Sequence, residues 1–227
     1  MQTHVAPLAS TGSPVAVPPP ASNLNVPPAE HNAKYRQILD GAREVFLASG
    51  FDGASMNDVA RMAGVSKGTL YVYFDSKEAL FEALIRHDRA RQAEQICQFD
   101  SDDHNVGSVL QRFGTSLLQT MTSPTHIAHL RTVIGVVPKF PQIGRAFYEA
   151  GPLVAIQRLS SYFDAQVESG VLHIGDTTLA AQQFLELCKS GCYIKVLFGV
   201  LEQPAPAEME ARVGRAVDAF LRIYSVR

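Results

Sequence analysis

Between Ser66 and Tyr73 the chain sets Lys67, Gly68, Thr69, Tyr71 and Tyr73 around a single leucine, Leu70. One ammonium, two hydroxyls and two phenols all donate hydrogen bonds, and none has a general base beside it to make it a nucleophile. That set suits recognition of phosphate oxygens and base edges better than bond-breaking. Gly68 sharpens the point. It costs roughly 1 kcal/mol against alanine inside a helix, and the missing side chain lets a foreign backbone approach. Lys77, a few residues on, is placed to clamp a phosphate at the flank.

These side chains need a rigid mount, and the preceding residues describe one. Ser55 followed by Asp58 is a capping pattern for a short helix with Val59, Ala60 and Ala63 on its apolar side. Gly64 can take the left-handed conformation that ends it, and Val65 fills the corner. Ser66 caps the next helix, which Leu70 and Phe74, four residues apart, anchor to a core. Residues 34–49, with Ile38, Leu39, Ala42, Val45 and Phe46 on one side and Gly50 as stop, form a buttressing helix whose Arg36, Arg43 and Glu44 face solvent. The reading is a helix-turn-helix whose second helix offers its leading turn to a major groove. Its DNA-contacting candidates are Ser55, Ser66, Lys67, Gly68, Thr69, Tyr71, Tyr73 and Lys77.

The stretch ASMNDVARMAGVSKGTLYVYFDSKEALF resembles the DNA-binding signature of TetR-family transcriptional regulators, through its A-G-V-S turn, its G-T-L-Y helix and its F-x-S-K-E-x-L exit. The likeness runs from Tyr35 to Leu84. RTVIGVVPKFPQIGRAFYEAGP and the later segment from Leu179 to Leu201 resemble the C-terminal domain of the AefR-like subgroup. Val136 stands where that resemblance leads one to expect an acid, so no ligand role carries over to it. The resemblance implies a four-helix dimer bundle.

Charge alone does not point to nucleic acid. The net charge is −2, and in the motif region six basic residues balance six acidic ones. Three cysteines, Cys97, Cys188 and Cys192, with no positively charged, apolar leader, fit a cytoplasmic chain without a disulfide framework. The longest apolar run, Cys192 to Leu201, is too short to cross a bilayer and contains Lys195, so no membrane partner is expected. No Gly-rich phosphate loop, nucleophile elbow or metal-ligand cluster is present; an enzyme is not expected, nor a cofactor.

Three segments are expected: residues 1–32 as a disordered Pro-rich extension without Lys or Arg, residues 33–80 as the helix-turn-helix domain, and residues 81–227 as the regulatory and dimerisation domain. The fold class is all-α, a three-helix DNA-binding domain followed by a larger helical domain. A long helix from about Ser76 to Phe99 links the two. Further helices are expected at 106–122, 124–138, 142–150, 153–168, 176–199 and from Pro206 to the end. The last two are the expected dimer elements, since Phe184, Leu185, Leu187, Ile194, Val196, Leu197 and Phe198 give more apolar surface than one core demands. A small, largely apolar effector is expected between helices near Phe113, Leu117, Met121, Ile134, Phe147, Phe163 and Phe184. His126 and His129, three apart without a third ligand, read as surface or hydrogen-bonding residues. Cys188 and Cys192 read as buried hydrophobes, with redox sensing the alternative. The whole reads as a homodimeric repressor released from a palindromic operator by its ligand; activation, or a helical protein-interaction adaptor, are the alternatives.

Overall fold

The computed structural model describes residues 28–226. The extension expected over 1–32 lies outside the described residues up to residue 27, and from Pro28 onward the chain is already helical. Eleven α-helices follow among the described residues: α1 (Pro28–Gly53), α2 (Met56–Met62), α3 (Lys67–Tyr73), α4 (Lys77–Ile96), α5 (Val106–Met121), α6 (Pro124–Val136), α7 (Pro141–Ala150), α8 (Pro152–Glu168), α9 (Thr177–Lys189), α10 (Tyr193–Leu197) and α11 (Pro206–Tyr224). An isolated bridge between Leu172 and Ser225 is the only β-pairing among them. The class is all-α, as expected.

The helix boundaries follow from local chemistry. Ser55, Ser66, Ser76, Ser123 and Asp176 each accept a hydrogen bond from a backbone N–H in the first turn of the helix they precede. Proline opens α6, α7, α8 and α11, where its missing N–H costs nothing. The expected single helix over 176–199 is broken in two. Gly191 adopts φ 78°, and Ser190 to Cys192 form the joint between α9 and α10. An unbroken apolar run concealed the break, because the glycine's left-handed turn leaves hydropathy unchanged.

Two apolar cores hold the molecule. The first unites α1 to α4 through Ile38, Phe46, Val59, Leu70 and Phe81, and it also takes in Val133 and Val136 of α6 and Ile143 of α7. Helices α1 to α4 are thus packed directly on α6 and α7 and do not hang from a linker. The second joins α5, α8, α9 and α11 around Phe113, Phe163, Phe184 and Phe220. α4 crosses from one core to the other, so a shift of α4 is felt by both.

Candidate nucleic-acid interface

The turn between α2 and α3 is fixed from three sides. Gly64 has φ 63°, as its position demanded. Gln37 of α1 donates to the carbonyl of Ala63 at 2.6 Å, satisfying an end carbonyl of α2. Gly41 of α1 lies so near that an added Cβ would fall 2.6 Å from the backbone nitrogen of Ala63. The angle between α2 and α3 is set by contacts that leave no slack.

On α3, Leu70 is 0% exposed and Phe74, just past the helix, is buried as well. Full burial of Leu70 is worth roughly 1.5–3 kcal/mol, ample to hold a two-turn helix in place. The opposite side is open. Lys67, Gly68 and Tyr71 are exposed and Thr69 is half-buried. The Lys67 ammonium stands 5.9 Å from the Tyr71 ring centroid, so charge and phenol occupy one patch. Ser66 Oγ accepts from the Thr69 N–H at 3.0 Å, and the two hydroxyls lie 2.8 Å apart. Ser55, at the head of α2, is exposed and accepts from the Asp58 N–H at 3.2 Å. Tyr73 is half-buried, its ring 6.5 Å from that of Tyr35. A Cβ at Gly68 would meet nothing nearer than Ser66 Oγ at 3.8 Å. The protein's own packing therefore does not require that glycine.

Lys77 departs from expectation. Its Nζ donates to the carbonyls of Phe51 at 2.7 Å and Ala54 at 3.1 Å, and lies 4.5 Å from the Phe51 ring centroid. The ammonium closes the end of α1 and ties it to the start of α4, where unpaired carbonyls attract a cation. It is a strut, and the phosphate role does not stand. Lys77→Met is accordingly expected to lower the unfolding free energy by roughly 1.5–3 kcal/mol, the scale of hydrogen bonds from a charged donor. Urea titration followed by circular dichroism reads this directly; an unchanged midpoint would contradict the strut.

A cavity of about 250 Å3 lies between α4 and the helices that follow it. Of the seven expected lining residues, it brings together Leu117, Met121 and Phe147. Phe113, Phe163 and Phe184 are corrections. Phe163 stacks on Phe220 at 4.9 Å and Phe184 meets Phe220 at 5.4 Å, with Phe113 beside Phe184, so these rings fill the second core. Ile134 is a correction of the opposite kind, 52% exposed on the outer side of α6. The surface alternative for the histidines also fails, since His126 and His129 are both buried. His126 keeps the hydrogen-bonding role, with its Nδ1 2.8 Å from Arg89 Nη1. Burial, then the positive charges around it, push its pKa down to about 3, so the ring is neutral.

Arg89 itself was missed. Its signal lay in the sequence: Ile85, Arg89, Ala93 and Cys97 recur every four residues, placing an arginine in the buried stripe of α4. Cys188 and Cys192 are buried as expected, and burial pushes the Cys188 thiol up to about 12. A thiol held so far from its thiolate is a poor redox sensor. No group of three or more candidate metal ligands occurs among the described residues, and none of their helices is long and apolar enough to cross a membrane.

A helix-turn-helix with an open leading turn, braced on a helical core that holds a cavity, is the architecture of a one-component regulator. The chain belongs to the TetR family of bacterial regulatory proteins. Residues 38–84 match the family's N-terminal profile, and residues 108–226 match that of the AefR-like transcriptional repressor C-terminal domain. It is similar to a solved TetR-family regulator from Mesorhizobium loti, with 27% identity and TM-score 0.76 over 86% of this chain and 98% of that one. It is also similar to the Flavonoid-responsive Regulator FrrA, with 30% identity and TM-score 0.75 over 86% and 99% of the two chains. The HTH-type transcriptional repressor AcnR of Corynebacterium diphtheriae shares 38% identity over 69 residues, 30% of this chain. That match spans about a third of the curated relative's length, 36%.

Proposed function

We propose that the protein is a homodimeric transcriptional repressor that binds a palindromic operator through α3 and is released by a small, largely apolar ligand in the α4-bounded cavity. The observation that carries the reading is the exposed first turn of α3, where Lys67, Gly68 and Tyr71 lie open while Leu70 beside them is buried. Ser66 and Thr69 join them as candidate contacts, with Ser55 and Tyr73 at the margin. Lys67 positions the helix on phosphates, and Tyr71 reaches a phosphate or a thymine methyl.

Two-fold symmetry supplies the second reader. The last helices are the proposed contact, because Ile194 and Phe198 at α10, Val200 after it and Ile223 of α11 are all exposed apolar residues. Release needs a path from cavity to reader, and α4 offers one. Asp88 holds Arg43 of α1 through two hydrogen bonds, at 2.6 and 3.0 Å, while the next residue, Arg89, lines the cavity. A ligand that prefers a shifted α4 will tilt α1 and the helices braced on it. The coupling required is modest, roughly 1–3 kcal/mol. The relative named for its response to flavonoids supports a small-molecule effector. A cytoplasmic location goes with the reading.

Gel-shift on DNA from upstream of the protein's own gene, with scrambled competitor, is the test. Wild-type protein is expected to shift the native sequence selectively, and Tyr71→Ala to bind it about tenfold more weakly, near 1.4 kcal/mol, with dimer mass and helicity intact. Equal affinity of the variant would remove α3 as the reader.

A further inference from the structure

The cavity is walled mainly by apolar side chains, among them Ile96, Leu117, Met121, Phe147 and Leu185. Within that wall stands Arg89, 3% exposed. Its Nη1 lies 2.8 Å from His126 Nδ1. A guanidinium can only donate, so Nδ1 is the accepting nitrogen and the proton of the neutral ring sits on Nε2. Four buried side-chain nitrogens are then without a hydrogen-bond partner among the described residues, and three of them, Arg89 Nε, Arg89 Nη2 and His126 Nε2, are donors on the paired Arg89 and His126; the fourth is His129 Nε2. Two of the three belong to a full positive charge.

The nearby carboxylates are engaged elsewhere. Asp88 is held by Arg43, and Glu82 and Glu149 by Arg86. The face of Phe147, its centroid 4.8 Å from the guanidinium carbon, returns only a fraction of what burying an unpaired cation costs. Burial lowers the Arg89 pKa only to about 10, with Asp88 and Tyr193 opposing the shift, so the charge persists at neutral pH. Gly151 lies against the arginine stem, where a Cβ would come 3.4 Å from Arg89 Cδ. The unfilled valences of Arg89 and His126 are all donors, and the cavity wall beside them is mainly apolar, with Gln92, Thr120, Lys189 and Tyr193 as its other polar members. Such a site lacks an anion attached to a hydrocarbon body.

Resting on the ligand-released reading above, we propose that the effector is an aromatic carboxylate of one or two rings. Its carboxylate accepts from Arg89 and His126, and its rings occupy the apolar cavity. The cavity of about 250 Å3, toward the small end for ligand pockets, suits that size. The charge also makes the switch directional. A carboxylate drawing on Arg89 pulls the same turn of α4 that grips Arg43 through Asp88.

The test uses the full chain and two probe pairs, 2-naphthoate with 2-naphthamide and cinnamate with cinnamamide, titrated calorimetrically. At least one acid is expected to bind ten times more tightly than its amide. Arg89→Met keeps the unbranched stem and removes the charge; it should weaken that acid tenfold or more and leave the amide within about twofold. Its melting temperature should change little, because removing an unpaired buried charge offsets the lost hydrogen bond to His126. Should that variant not fold, Arg89→Lys, which keeps the charge without the fork, is expected to retain acid selectivity at lower affinity. Acid and amide binding alike, undiminished acid preference in Arg89→Met, or no binding of either acid would overturn the anion site. Acid-selective binding that leaves operator affinity untouched would keep the site and sink ligand release; release by a neutral compound would do the reverse.

Discussion

Gly68→Leu will make the free protein slightly more stable and nearly abolish its grip on DNA. Space is open around the Gly68 Cα, and its backbone is not in the left-handed region, so a side chain can be added without strain. Replacing glycine by a helix-former then gains up to roughly 0.5–1 kcal/mol, toward the lower end because the site lies in the first turn. Against a duplex the same side chain stands between the helix and the phosphate backbone. A loss of about 100-fold in operator affinity, near 2.7 kcal/mol, is the expected scale. The opposite signs make the test discriminating. A residue placed for folding alone would give stability and function changes of the same sign, and a Gly68→Leu variant that binds operator normally would mean that α3 does not meet DNA there.

Phe198→Glu together with Val200→Glu will convert the dimer to a monomer. Phe198 is 74% exposed and Val200 75%, an arrangement a monomer has no use for. Buried across a two-fold axis, each such side chain is worth roughly 1.5–3 kcal/mol, counted once per subunit. Four carboxylates facing one another there would reverse the sign of the contact. Sedimentation equilibrium is expected to give the mass of one chain at concentrations where wild type is dimeric. Operator affinity should fall by two to four orders of magnitude, the usual scale of a lost tethered partner. Helicity should hold, because neither side chain is in either core. A variant that remains dimeric would move the interface away from α10.

Much of the reader was legible from the sequence because its constraints are local. A serine before each short helix, a glycine at the corner and Leu70 with Phe74 four apart fix α2 and α3 almost without reference to the rest of the chain. Lys77 was misjudged for a tertiary reason: the carbonyls it caps belong to residues more than twenty positions earlier. The cavity was legible only in part. α6 is apolar on more than one side, so the pattern could not say that Val133 would face inward and Ile134 outward. Phenylalanines attract attention as pocket lining, yet rings that can stack on one another do so and close the space. The most informative side chain was a charged one in an apolar stripe. Arg89 reads as solvent-facing when it is counted with Arg86 and Arg91, and as a functional group once the four-residue spacing is followed.

The measurement closest to the heart of the account is a structure of the dimer on a duplex selected from the region upstream of its own gene. It should place the first turn of each α3 in a major groove, with the two copies about one helical repeat apart, roughly 34 Å, and Lys67 and Tyr71 against the DNA. A complex in which the duplex lies on another face, with Gly68 in open solvent, would contradict it.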